Sequence, residues 1–215
     1  MTKSLLFLIL GLQVSLALAQ GADVGMINMT TSDITYTPSS GMPGKVQAFM
    51  KVRDGDVISI PAGGQVRVVF FQSARQERWI GPASFRAGTA AAAPISGKAA
   101  EVVALPVGVP QRLAQVPQLV QTARLGGIQV RGVHPMQKPS AEQQSTIAAA
   151  RATYEAMRKN LSPDDITPEL YLYAALDDYL LYDDMLPIVD EMLRKQPKSD
   201  EVRALASFVR SKTAR

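Results

Sequence analysis

The sequence contains no cysteine and a single histidine, His134, among its 215 residues. The absence of cysteine excludes disulfides, thiolate chemistry and lipidation at a cysteine, and it leaves too few ligands for a structural zinc site. A Ser-His-Asp triad would have to use His134, yet the chain has no G-x-S-x-G segment. Because His134 lies beside Pro135 in a stretch rich in turn signals, we expect an exposed or turn histidine with no catalytic role.

Signals for nucleotides, nucleic acids and metals are also missing. No G-x-x-x-x-G-K-[ST] or G-x-G-x-x-G motif occurs, no run of five basic residues occurs, and the formal net charge is only +4. The acidic pairs lack the D-x-D-x-D-G spacing of a calcium loop, and two of the three lie where helix N-termini favour acids. These pairs are Asp164-Asp165, Asp177-Asp178 and Asp183-Asp184. We therefore expect no nucleic-acid partner, no metal and no other cofactor.

A long apolar run occurs only at the N-terminus. Lys3, the run Leu5–Leu12 and Ala17-Leu18-Ala19 follow the order of a secretory signal peptide, residues 1–19. Cleavage after Ala19 would leave Gln20 first and place the protein in a periplasm or outside the cell. The alternative is an uncleaved anchor, although this segment is shorter than the roughly 20 residues that span a bilayer. We expect no stable membrane insertion after cleavage.

Short apolar runs separated by turn residues predict an antiparallel β domain over residues 41–133. Residues 20–40 are rich in Thr, Ser and Gly and predict an extended lead-in with one strand at Asp33–Thr37. A helix is predicted at Pro110–Arg124, because its apolar residues recur at helical spacing. Strands are predicted at Val46–Val52, Val57–Ile60, Gln65–Gln72, Glu77–Ile80, Ala83–Ala87, Glu101–Leu105 and Ile128–Val130.

The apolar period changes from 2 to 3.6 after a short linker, residues 134–139. Ser140 and Gln143 form a capping-box pattern that begins the first of four predicted helices between Ser140 and Lys212. The fold class is therefore predicted as α+β, with an N-terminal antiparallel β domain and a C-terminal helical region over 140–215. Pro187 is compatible with this prediction because it falls in the first turn of the third helix.

The segment from Gly55 to Phe85 carries the order G-D-x-I-x-I-P-A-G-G, an apolar run, a polar turn, and W-x-G-P-A-S-F. This order resembles the FecR-type β domain of bacterial envelope proteins. FecR-type domains occur in transmembrane regulators of sigma factors, where the β domain senses a periplasmic signal. The resemblance implies the β fold and an envelope location. A signal peptide stands here in place of the cytoplasmic region and spanning helix, so action on a sigma factor is not implied.

The helical region contains one segment that resembles a tetratricopeptide repeat. Ile166–Ser199 is 34 residues long, and its apolar positions and closing Pro197 agree with the repeat, whereas its opening aromatic and small-residue positions do not. A single repeat cannot form a solenoid, so the neighbouring helices must serve as caps. The resemblance implies a helical hairpin that contacts other proteins.

Two groups of side chains are candidate binding residues. The first is a tyrosine cluster that either packs in the core with its hydroxyls at the rim or lines a partner groove: Tyr171, Tyr173, Tyr179 and Tyr182. The second is a set of arginines that either forms a solvated edge of the sheet or binds an anionic polymer such as a cell-wall component: Arg67, Arg75, Arg78 and Arg86.

No convergent catalytic groups are evident, so the sequence favours a non-enzymatic exported interaction, scaffold or signal-sensing protein. Its expected partner is an envelope protein that contacts the tyrosine-bearing helix Leu170–Tyr182. The alternative is an envelope polymer or small-ligand binder that uses the arginines. A third, more remote hypothesis is a carboxylate-pair hydrolase, because two acids can come from any part of a sequence.

Overall fold

The structure is a computed structural model that describes residues 21–31, 33–126 and 139–213. The signal peptide, the predicted strand Ile128–Val130 and His134 lie outside these ranges. Within them, the chain forms strands up to Ala104 and helices from Val109 onward. The mixed α+β class is therefore confirmed, with strands mostly in the N-terminal region and helices mostly in the C-terminal region.

The strands in the described ranges form two antiparallel five-stranded sheets. The first sheet has the order β10-β7-β6-β1-β4, and the second has the order β3-β2-β5-β8-β9. The strands are β1 Asp23–Thr31, β2 Thr35–Thr37, β3 Gly44–Lys45, β4 Lys51–Arg53, β5 Val57–Ile60, β6 Gln65–Phe70, β7 Arg75–Ile80, β8 Ala83–Ala87, β9 Ala92–Ser96 and β10 Glu101–Ala104. Hairpins β6–β7 and β8–β9 lie where short apolar runs alternate with turns.

The two sheets pack face to face around one apolar core. Val66, Val68 and Phe70 alternate along β6 and are fully buried between the sheets. Trp79 of the first sheet stacks on Phe85 of the second, with ring centroids 4.6 Å apart. This aromatic contact joins β7 of the first sheet to β8 of the second.

The glycine of the W-x-G-P segment is required by a close backbone contact. Gly81 N–H donates to the carbonyl of Gly64 at 2.9 Å, which brings two turns together. A Cβ atom at Gly81 would lie 1.9 Å from the carbonyl oxygen of Pro61. Any other residue would therefore force these turns apart.

The prediction of an extended lead-in is wrong for Asp23–Thr31. This segment is strand β1, which lies between β6 and β4 in the first sheet. The residues from Val24 to Met29 are all buried, so the strand lacks the polar-apolar alternation of a half-exposed strand. The predicted strand Val46–Val52 is also largely a loop, because Phe49 adopts a positive φ of 59°.

The helices are α1 Val109–Leu113, α2 Val116–Arg124, α3 Ala141–Asn160, α4 Thr167–Asp177, α5 Tyr182–Lys195 and α6 Asp200–Thr213. The predicted helix over 110–124 is split in two, and α2 restarts with Pro117 in its first turn, where a missing N–H costs nothing. The capping box of α3 is confirmed: Gln143 N–H donates to Ser140 Oγ at 3.2 Å, and Ser140 N–H donates to Gln143 Oε1 at 2.8 Å.

The helices cover the outer face of the first sheet, so the molecule has three layers. Met26 and Val69 of this sheet share a core with the helices. Helix α4 lies at the centre of the helical layer and is buried from Thr167 to Leu176. The β region and the helical region therefore pack on each other through an apolar interface.

Candidate functional site

A buried polar cluster joins the first sheet to the start of α4. Its members are almost fully buried: Asn28, Arg67, Gln76, Asp165 and Thr167. Asp165 lies at its centre, where Oδ1 accepts from Thr167 N–H at 2.8 Å and Oδ2 accepts from Gln76 Nε2 at 2.5 Å. Arg67 Nη1 lies 3.6 Å from Asp165 Oδ1. The carboxylate thus accepts the first N–H of α4 and ties the helix to strands β6 and β7.

A second buried carboxylate, Glu169, lies one turn further along α4. Lys195 Nζ donates to Glu169 Oε1 at 2.9 Å, and Tyr154 donates to the same oxygen at 3.3 Å. Arg158 Nη2 donates to the Asp165 carbonyl at 2.7 Å. Burial and then the Glu169 charge raise the pKa of Tyr154 to about 12, so its hydroxyl stays protonated at neutral pH. The buried charges compensate one another, which indicates a structural role.

An open groove of about 820 Å³ lies beside this cluster, where the first sheet meets the helices. Its walls come from the end of β1 (residues 29–31), the β3–β4 loop (residues 46–48) and the α5–α6 turn (residues 195–201). Gln65, Arg124 and Asp164 complete the lining. The groove is formed by segments that are far apart in sequence, so it exists only because the two regions pack together.

Two buried polar atoms on groove-lining residues have no hydrogen-bond partner: Thr30 Oγ1 and Gln196 Nε2. Such atoms cost free energy unless a ligand or water satisfies them. Met29, Val46 and Pro197 supply apolar surface nearby. The groove therefore has apolar walls, and two of its lining residues hold a polar group that is buried without a partner.

Five charged residues of the groove are engaged in ion pairs: Arg124, Asp164, Lys195, Asp200 and Glu201. Arg124 Nη2 donates to Glu201 Oε1 at 2.8 Å. Partial burial opposes ionisation of Asp164, but the Ser162 hydroxyl and Arg67 hold its pKa below its ordinary value. The groove therefore has a balanced charge and no preference for a strongly anionic or cationic ligand.

The β3–β4 loop is fixed as a wall by Phe49, which is 2% exposed and packs into the helical core. Phe49 N–H donates to the carbonyl of Ile27 at 2.6 Å, which ties the loop to β1. A second hollow of about 550 Å³ lies on the far side of this loop against α2. It shares Arg124 and Glu201 with the groove, so the two form one continuous surface.

The four candidate arginines do not lie on one surface. Arg67 is 2% exposed and forms part of the buried cluster, which corrects its assignment to an accessible ligand-binding face. Arg75 donates to Glu77 at 2.7 Å, and Arg78 donates to Glu101 at 3.0 Å. Arg86 lies on β8 in the second sheet, away from the other three. Register also places Arg75 on the opposite face of its sheet from Arg67 and Arg78.

The tyrosine cluster lies mainly in the helical core. Tyr171 is 9% exposed and Tyr173 is 1% exposed, so neither presents a ring to a partner. Burial, with a smaller contribution from Asp177, raises the pKa of Tyr173 above its ordinary value. Tyr179 and Tyr182 are partly buried, and Tyr182 packs edge-on against Phe208 at 6.0 Å between centroids. The core interpretation therefore holds for Tyr171 and Tyr173.

The acidic pairs have structural partners. Asp165 accepts from Thr167 N–H at the start of α4, and Asp184 pairs with Arg151 from α3 at 2.9 Å. Burial and the nearby Asp178 raise the pKa of Asp177 to about 6. Across residues 21–31, 33–126 and 139–213, no three acidic or histidine side chains converge in a way that could hold a metal ion.

Sequence reasoning missed the groove, because it is formed by a loop, a turn and a strand that looked like a lead-in. The one available signal was the turn Gln196–Ser199 with its exposed Pro and Lys, and nothing local linked it to β1.

None of the helices in the described ranges is long and apolar enough to cross a membrane. Neither the family models nor the curated proteins nor the solved structures provide a significant match to this chain.

Proposed function

We propose that this protein is an exported, non-enzymatic interaction protein of the bacterial envelope that holds an extended segment of a partner protein in the groove between sheet and helices. The observation that carries the proposal is that two residues lining that groove, Thr30 and Gln196, each hold a buried polar atom without a hydrogen-bond partner. A peptide supplies carbonyl acceptors and N–H donors at regular spacing, which suits a hydroxyl and an amide.

The shape and charge of the groove support a peptide as the ligand. Strand β4 pairs with β1 no further than Met26, the β3–β4 loop bonds the main chain of Ile27, and residues 29–31 form part of the groove wall. An extended segment laid along a strand in this way gains main-chain hydrogen bonds, with side-chain pockets that provide specificity. The volume of about 820 Å³ accommodates a few residues of an extended chain.

The envelope location rests on the predicted signal peptide and on the resemblance to FecR-type domains. Strands β5 to β8 occur in the order that the G-D-x-I-x-I-P-A-G-G and W-x-G-P segments predict, which is compatible with the β fold that this resemblance implies. Helices α4 and α5 form a hairpin within the repeat-like segment, which supports a tetratricopeptide-like unit. In this proposal the hairpin contributes its closing turn to the groove.

The two other hypotheses have weaker support. A polymer-binding face needs accessible arginines that converge, and the four arginines are paired, buried or on different sheets. A carboxylate-pair hydrolase needs an acid that keeps its proton near neutral pH. In the groove, the Asp164, Asp200 and Glu201 carboxylates each pair with an arginine, and the pKa of Asp164 is held below its ordinary value.

The test is a peptide-binding measurement. Peptides would be selected from a random displayed library on the purified protein, and the affinity of one synthetic peptide would be measured by calorimetry. Because each variant removes one hydrogen bond, we expect Gln196→Ala and Thr30→Val to raise Kd about fivefold each. The matched control is Ser84→Ala, which removes a hydroxyl on the second sheet.

Equal affinity for all four proteins, or no selected peptide, would refute the proposal. Binding to cell-wall polymer that Arg78→Ala and Arg86→Ala abolish would favour the rival.

A further inference from the structure

Strand β10 is an exposed edge of the first sheet. Among the strands of the described residues it pairs with β7 alone, on one side, and all four of its residues are exposed. Val102 is 47% exposed and Val103 is 37% exposed, although they point to opposite faces of the strand. Two β-branched residues in an uncovered edge strand are unusual, because such edges tend to pair with other chains.

The other sheet edges of the described residues carry features that discourage pairing. Strand β9 contains Pro94, which has no N–H for a ladder. Strand β3 is only two residues long, and Lys45 on it pairs with Asp33. Strand β4 carries Lys51 and Arg53, and both pair with Asp23. Strand β10 has neither proline nor lysine, and its one charge, on Glu101, is matched by Arg78.

The pairing of β10 with β7 also shows which main-chain groups of β10 point away from the sheet. Leu105 N–H donates to the carbonyl of Ala74 at 2.8 Å, so residues 105, 103 and 101 direct their main-chain groups toward β7. By alternation, Val102 and Ala104 direct their N–H and C=O groups away from the sheet.

We propose that two copies of this protein pair through β10 in antiparallel fashion, which joins their first sheets into one continuous sheet of ten strands. With Val103 on the two-fold axis, Val102 of each copy lies opposite Ala104 of the other, and four main-chain hydrogen bonds form. In this register all four intermolecular hydrogen bonds come from residues of β10, and Val103 of one copy contacts Val103 of the other on the axis. Glu101 lies opposite Leu105 of the other copy, so no like charges meet.

The absence of cysteine makes a cross-linking test specific. In the proposed register Val103 faces itself in a non-hydrogen-bonded pair, whose Cα atoms lie about 4.5 Å apart and can form a disulfide. We expect Val103→Cys to form a disulfide-linked dimer at least tenfold faster than Ile95→Cys. Ile95 is 53% exposed and lies on the proline-containing edge, so it controls for exposure.

Sedimentation equilibrium gives an independent test without new cysteines. Ala104→Pro removes two of the four intermolecular donors but none of the bonds to β7, and we expect it to raise the dimer dissociation constant at least tenfold. If that variant fails to fold, Val103→Lys places two like charges on the axis and should have the same effect. The proposal fails if the wild type stays monomeric at millimolar concentration, if Ile95→Cys cross-links equally fast, or if β10 instead binds an extended peptide while the protein stays monomeric.

Discussion

At the scale of single residues, Asp177 is the carboxyl group whose titration should affect stability. Burial at the end of α4 and the adjacent Asp178 raise its pKa to about 6, whereas the pKa in an unfolded chain is about 3.9. The folded state therefore binds the proton more tightly between these values. Stability from this group is present below about pH 4, is lost as pH rises to about 6, and stays lost above.

We therefore predict that Asp177→Asn raises the free energy of unfolding at pH 7.5 by about 1–2 kcal/mol, because asparagine needs no ionisation in the buried site. The gain should shrink toward zero near pH 4, where the wild-type carboxyl is protonated in the folded state. Urea unfolding at both pH values measures this. Asp190→Asn is the control, since its pair with Arg210 is exposed and should change little. A gain of the same size at both pH values would contradict the assignment.

At the scale of elements, the position of α4 on the first sheet depends on Asp165. The adjacent Asp164 also pairs with Arg67, but its side chain is 57% exposed, whereas that of Asp165 is 1% exposed. We predict that Asp165→Ala costs about 3–5 kcal/mol, because Gln76 and Thr167 lose a buried acceptor and Arg67 keeps only the more exposed Asp164 carboxylate. Asp164→Ala should cost less than about 1 kcal/mol. Chemical unfolding of the two variants checks this, and equal losses would contradict the role assigned to the cluster.

The elements also show what local sequence can predict. Strands β5 to β8 were predictable because each short apolar run is bounded by Gly, Pro or polar turns. Strand β1 was not, because burial on both faces removes the alternation on which the prediction depends. Arg67 looked like a surface residue because charged strand residues are normally solvated. Its partner Asp164 lies 97 residues away, and no local pattern shows that contact.

At the scale of the whole molecule, the buried polar cluster and the shared apolar core make the sandwich and the helices one structural unit. The groove depends on this packing, because β1 and the β3–β4 loop form one side and the α5–α6 turn forms the other. The candidate site was therefore not predictable from either region alone. Of the tyrosines and arginines that the sequence suggested, Arg67 joins the sheet to the start of α4, and Tyr171 and Tyr173 lie in the helical core.

Hydrogen–deuterium exchange tests most directly whether a partner segment binds in this groove. Exchange would be measured by mass spectrometry on the protein with and without the selected peptide. We predict slower exchange in three separate segments, residues 29–31, 46–50 and 196–201, and unchanged exchange in β8 and β9. Protection confined to the second sheet or to β10, with none in these three segments, would contradict the account.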